Sequence, residues 1–317
     1  DDNTIYGLYI FNIINKSWRL FFKYPKMWWL LESEIVFDNI RNKLYILNWH
    51  EGPPRTFRQI DMITKEIIDD DDDIDDDDEE LYDWYTMHRR EANIVNVKDD
   101  IHLIGSYESN KHTKYNKTNR KFTEISVFEE FDKIHCTKSV YIKSKDVILI
   151  IGGFVGDESK CIGVREYSLN TGKWRKIDGI EYNYYGGHAL VTTDEKHIIL
   201  APSKSNATDG GWSEATYDIY ILDILDDGVY KMRKSKIQIP KAPKSPGFCE
   251  SNMAMCALTG NDKIMSEKLV YGFIREIIGL NMDEISMDII NIVVLFNNSE
   301  LLHCVQIGFG GEYHHHH

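Results

Sequence analysis

No apolar run in the 317-residue sequence approaches the ~18–20 residues that cross a membrane as a helix. The five cysteines, Cys136, Cys161, Cys249, Cys256 and Cys304, are odd in number and form no CxxC pair. This usage fits a reduced, cytoplasmic protein whose thiols serve as small buried hydrophobes. The opening residues, DDNTIYG, do not read as a signal peptide, and none is expected from them. Four Asn-x-Ser/Thr sequons, at Asn15, Asn116, Asn206 and Asn297, arise readily in an Asn-rich chain and weigh little for secretion.

Signatures of chemistry are missing too. There is no HxxEH, GxSxG or GxxxxGK pattern. IHC (134–136) and LHC (302–304) sit in or beside apparent strands, where a lone His next to Cys is a core-adjacent residue. No metal ligand and no cofactor is assigned. The formal charge of −14 argues against nucleic acid, whose backbone needs clustered Lys and Arg. The one basic run, KMRKSKIQIPKAPK (231–244), reads as a solvated connection. Most of the negative charge sits in one block, DDDDDIDDDDEE (69–80), with eleven acids in twelve residues; without it the charge is −3. Such a block is expected to be a solvated, disordered loop, and its spacing is not that of an EF-hand. HHHH (314–317) is read as a tag remnant or native sequence and is set aside from metal arguments.

What is present is a repeat. FNIINKSW (11–18), IDMITKEI (60–67), YNKTNRKF (115–122), YSLNTGKW (167–174) and LDILDDGV (222–229) start 49, 55, 52 and 55 residues apart. Each opens and closes on an apolar or aromatic residue, with turn formers between. Each therefore reads as a strand end, a turn and a strand start. Upstream lie paired apolar runs such as EIVFDNI with KLYILNW, EANIVNV with IHLIGSY, SVYIKS with VILIIGG and GHALVTT with HIILAPS. That makes four short antiparallel strands per unit of about 50 residues. Such a unit cannot bury both faces alone, so the units stack in a ring, a β-propeller.

The third unit carries Gly152, Gly153, Tyr167 and Trp174 at the offsets of a Kelch repeat, which the chain resembles over most of its length. Elsewhere the pattern is degenerate: the glycine pair becomes Gly105-Ser106 or Ala201-Pro202, and the closing Trp becomes Ile67, Phe122 or Val229. These residues have structural work: glycines for positive φ and close approach, Tyr and Trp to fill the gap between blades. The usual ring size of the family favours six blades; joining the two chain ends in one blade gives five. Residues 266–296 read as a helical hairpin inserted near the C-terminus, because Leu269, Val270, Phe273, Ile274, Ile277 and Ile278 fall on one helical face and MDEISMDIINIVVLF follows as a more apolar helix.

In such a meander the second-to-third loop and the fourth-to-first connection emerge at the same end. That end should collect Trp28, Trp29, Arg55, Trp84, Tyr85, Arg89, Arg90, Tyr182, Tyr184, Tyr185 and Trp212. Trp, Tyr and Arg are enriched where proteins bind one another, although aromatics also plug the gaps between blades. The resemblance implies a non-catalytic scaffold or adaptor that binds another protein. The competing reading is a copper-radical oxidase, since some Kelch-type propellers are such enzymes.

Overall fold

The computed structural model describes residues 7–12, 17–23, 34–47 less 39, 57–69, 93–127 less 107–108, 130–205 less 131, 132, 135, 156, 186, 187, 192–194 and 203, then 216, 218–238, 291–298 and 301–308. Among these the chain is all-β, with several antiparallel sheets, one 3-10 turn and no α-helix.

The strands run in chain order as β1 (Gly7–Asn12), β2 (Ser17–Lys23), β3 (Glu34–Asp38), β4 (Lys43–Leu47), β5 (Phe57–Asp61), β6 (Ile67–Asp69), β7 (Asn93–Val97), β8 (Asp100–Ser106), β9 (Ser109–Asn116), β10 (Phe122–Val127), β11 (Lys138–Ile142) and β12 (Val147–Ile151). They continue as β13 (Phe154–Val155), β14 (Asp157–Cys161), β15 (Val164–Ser168), β16 (Lys173–Lys176), β17 (Tyr184–Tyr185), β18 (His188–Val191), β19 (His197–Ala201), β20 (Lys204–Ser205), β21 (Asp218–Ile224), β22 (Tyr230–Gln238), β23 (Asn291–Asn298) and β24 (Leu301–Gly308). Four four-stranded meanders result: β3-β4-β5-β6, β7-β8-β9-β10, β11-β12-β15-β16 and β18-β19-β21-β22, the first to fourth sheets below.

The sheets stack face to face. β12 reads VILII and is buried at every residue, because both of its faces are covered. Ile148 and Ile150 join Val95, Val97 and Ile104 of the second sheet, while Val147, Leu149 and Ile151 join Ile198, Leu200 and Leu222 of the fourth. Val36 and Tyr45 of the first sheet pack on Ile101, Leu103 and Tyr115 of the second. First strands are neighbours in the same order: β3 with β7, β7 with β11, β11 with β18. β24 lies near β3, and β1 beside β23.

The repeated octads are hairpins. Their first and eighth residues pair directly as Phe11–Trp18, Ile60–Ile67, Tyr115–Phe122 and Tyr167–Trp174. In the fifth copy the 3-10 turn Asp226–Gly228 leaves Ile224 opposite Tyr230 instead. The second position caps the turn: Asp61 accepts from the amides of Ile63 and Thr64, Asn116 from those of Thr118 and Asn119, and Ser168 from that of Thr171. The sixth position adopts positive φ in all four described turns, at Lys65 (62°), Arg120 (59°), Gly172 (69°) and Asp227 (60°). The third position latches each sheet's two hairpins together: Met62, Lys117, Leu169 and Ile224 donate their amides to the carbonyls of Asn42, Asp99, Asp146 and Lys196 at 2.8–3.1 Å.

Two expectations are corrected. Residues 291–296, assigned to the second helix of the hairpin, belong to β23; Ile292, Val293 and Val294 are β-branched and fit a pleated strand better than a helical turn. Residues 266–290 lie outside the described residues. The start of the basic run, expected as a connection, is the outermost strand of the fourth sheet, β22. Of the acidic block only Asp69 is described; it ends β6, opposite Arg58. HHHH also lies outside.

Candidate functional site

The loop end of the sheets is built on glycine. Gly152, just after β12, has φ 67°, and a Cβ there would lie 2.5 Å from the Tyr184 carbonyl oxygen and 2.7 Å from the Tyr182 ring. Gly153 (φ 85°) donates its amide to that same Tyr184 carbonyl at 2.9 Å. The pair thus seats the connection that leads into the fourth sheet. Gly105 makes a similar close approach near the end of β8: its φ is 66°, and a Cβ would lie 2.6 Å from the Ile134 carbonyl oxygen. Within this end β17 pairs with β20, so the connection entering the fourth sheet meets that sheet's second-to-third loop.

Three of the eleven expected contact residues fall among the described ones. Tyr182 and Tyr185 are only 4% and 6% exposed, and Tyr184 is half-buried. Tyr182, Tyr184 and Tyr220 form a cluster with ring centroids 4.9–5.8 Å apart. The hydroxyls of Tyr184 and Tyr220 lie 2.5 Å apart. Burial and this bond push the Tyr220 phenol up, so it stays protonated. Tyr182, Tyr184 and Tyr220 pack with the core of the third and fourth sheets. Trp28, Trp29, Arg55, Trp84, Tyr85, Arg89, Arg90 and Trp212 lie outside the described residues.

Each seam between sheets has its own chemistry. Between the first and second, Lys117 is wholly buried and its Nζ donates to Asp38 at 2.8 Å, to Asn96 Oδ1 at 2.5 Å and to the Lys98 carbonyl at 2.8 Å. Burial raises the Asp38 carboxyl, but the hydrogen bonds and charges of Lys117 and Arg41 outweigh it and hold the group below its ordinary range. Arg41 reaches on to Asp99 at 2.7 Å.

The second and third sheets meet through rings. Tyr167 and Trp174, paired across β15 and β16, stand 5.0 Å apart by centroid, and His112 of β9 lies 4.7 and 5.7 Å from them. Trp174 donates its indole N–H to Ser126 Oγ at 3.3 Å. His112 Nε2 lies 2.8 Å from His102 Nδ1, and both imidazoles are buried. Burial, with Lys114 nearby, draws His102 down to about 4.

Between the third and fourth sheets, Glu166 accepts two bonds from Arg175, at 2.8 and 3.0 Å, and one from the Tyr230 hydroxyl at 2.6 Å. Arg175 also reaches the Gly228 carbonyl at 2.8 Å. Burial of Glu166 pushes its carboxyl up; Arg175 and Tyr230 more than reverse this, so it stays ionised.

Tyr167 and Trp174 therefore lie in the gap between the second and third sheets. The sequence reading did not pick out Tyr220, His102, His112, Lys117 or Glu166. Strand alternation in YDIYILDI was the available signal for Tyr220; the others are joined only by register. Among the described residues no group of three or more His, Cys, Asp or Glu could hold a metal ion, and no helix is long and apolar enough to cross a membrane.

No known family model matches the chain, and no curated protein matches it. Among solved structures, one similar chain is a protein of unknown function from Bacteroides thetaiotaomicron, at 9% identity and TM-score 0.45, over 73% of this chain and 53% of that one. The matched region thus spans about half of that protein's length. Another is the protein YjhT, at 10% identity and TM-score 0.34, over 69% of this chain and 88% of that one. At these values neither likeness assigns a function.

Proposed function

We propose that the chain is a Kelch-type β-propeller that binds another protein through the loop end of its sheets and carries no chemistry of its own. The observation that carries the reading is the stacking of four meanders with their first strands side by side in chain order. The outward faces of the end sheets favour closure. Leu44 and Ile60 point away from the second sheet, and Ile199 and Ile221 away from the third, yet all four are buried. The neighbours β24–β3 and β1–β23 support a fifth blade drawn from both ends of the chain.

A ring of this kind presents its loops as a platform, and fold alone does not name the partner. Affinity capture from source cells with mass spectrometry supplies the partner. Trp29, Arg55, Trp84, Arg89 and Trp212 are then changed to Ala, singly. Hot spots among them lose about 2 kcal/mol of binding, some thirtyfold, with folding intact. Five variants that fold and hold the partner unchanged overturn the loop-end reading. Stoichiometric copper in untagged protein replaces it with the copper-radical oxidase.

A further inference from the structure

The chain is acidic, but one stretch of its surface is not. The outermost strands of the third and fourth sheets, β16 (KWRK) and β22 (YKMRKSKIQ), hold seven Lys or Arg and no Asp or Glu in thirteen residues. Lys173, Arg175, Lys176, Lys231, Arg233, Lys234 and Lys236 are all exposed. β16 reaches the turn that leads into β22, where Arg175 bonds the Gly228 carbonyl, and Tyr230 at the start of β22 bonds Glu166 of the neighbouring strand β15. Three cations are partly neutralised within the sheets, Arg175 by Glu166, Arg233 by Asp223 at 3.1 Å and Lys234 by Asp218 at 3.2 Å. Lys173, Lys176, Lys231 and Lys236 add charge beyond these pairs.

β22 is also an edge. From Tyr230 to Lys234 it pairs regularly with β21 on one side, and among the described residues no strand pairs with its other side. Its outward N–H and C=O groups therefore offer a template for one more strand. Tyr230 and Met232 pack inward against the third and fourth sheets, so Lys231 and Arg233 project from the opposite face, ~7 Å apart. An incoming strand would set alternate side chains beside them.

We propose that this edge docks an extended acidic segment of a partner protein, added as a fifth strand with carboxylates at alternate positions beside Lys231 and Arg233. Main-chain bonds would give the affinity and the carboxylates the register. A peptide fits better than a nucleic acid, because the template is a row of main-chain amides and carbonyls at strand spacing, which another strand matches and a sugar-phosphate backbone does not. This surface is separate from the loop end and stands or falls without it.

The test titrates the full chain into a fluorescein-labelled (Glu-Thr)4 peptide in 50 mM NaCl, read by anisotropy, with (Lys-Thr)4 and a twelve-residue oligothymidylate alongside. Saturable binding of the acidic peptide alone is expected, weakened about tenfold or more by Lys231→Glu or Lys236→Glu. Lys121→Glu, on a hairpin turn elsewhere, should leave it unchanged. Amide exchange across 230–238 should slow on binding. Absence of saturable binding, equal affinity in the β22 variants or unchanged exchange there overturns the proposal; in each case the lysines serve only to block strand addition. Tighter binding of the oligothymidylate, lost in the same variants, overturns it in favour of nucleic acid.

Discussion

The ammonium of Lys117, on the second sheet, lies 2.8 Å from the carboxylate of Asp38 on the first, and both side chains are buried. The buried ammonium is tolerable because the carboxylate is there, and Asp38 is held by Lys117 and Arg41 together. Asp38→Asn leaves the ammonium beside a neutral amide and should cost about 3 kcal/mol. The double variant Asp38→Asn/Lys117→Met should lose clearly less than the sum of its singles. Urea midpoints decide it; a single-variant loss below about 1 kcal/mol would mean that the pair behaves as an exposed one.

His102 predicts acid sensitivity. Its pKa falls from 6.5 to about 4 on folding. The unfolded chain therefore binds the proton first, and the stability held above pH 6.5 declines as the pH falls from there towards 4. The full effect is about 3 kcal/mol. His102→Gln should flatten the slope of stability between pH 6.5 and 4.5 relative to the parent, whatever its own midpoint. Parallel slopes would show that this imidazole does not titrate on unfolding.

Two glycines separate close approach from backbone strain. Gly152→Ala meets the Tyr184 carbonyl and the Tyr182 ring at positive φ, and should cost about 3 kcal/mol or more. Gly163→Ala meets nothing within 4 Å at φ 70°. It should cost only the left-handed backbone term, about 1–2 kcal/mol. Equal losses in denaturant melts would remove the seating role given to Gly152.

At the sixth position of the turns the prediction runs the other way. Lys65 and Arg120 hold left-handed backbone that Gly172 holds without strain. Lys65→Gly and Arg120→Gly should each gain about 0.5–1 kcal/mol. Gly172→Ala should lose about 1–2 kcal/mol, the same left-handed backbone cost as Gly163→Ala, its added Cβ lying an unstrained 3.8 Å from the Tyr167 hydroxyl. Thermal melts in one buffer suffice.

The acidic block should be dispensable, provided the cut respects β6. Asp69 is paired opposite Arg58, so a Gly/Ser replacement should begin at Asp70. Removing like charge then leaves the melting temperature unchanged or raised. A marked drop would tie the block to the fold.

Turn chemistry made the hairpins legible in sequence. Asp61, Asn116 and Ser168 cap their own turns through local bonds, and local bonds leave a mark at fixed spacing. Gly152 and Gly153 stand out as a glycine pair ending an apolar strand, although the residues they approach, Tyr182 and Tyr184, lie about thirty positions on. The seams were not. His102 and His112, or Asp38 and Lys117, are brought together by register and stacking, which no short window records. The lysines of β22 read as a connection because an outer strand faces water and carries the composition of a loop. Residues 291–296 read as helix because a short apolar run has no period that separates it from a buried strand.

The three seams differ in what would open them. Strong acid discharges Asp38 and Glu166, whereas milder acid already favours forms in which His102, between the second and third sheets, is exposed and can take up a proton. A neutral aromatic contact ignores salt that weakens exposed ion pairs. The body thus has no fixed fault line; the solvent selects where it parts. Partly opened forms made under different stresses would be different molecules, each exposing another pair of sheet faces.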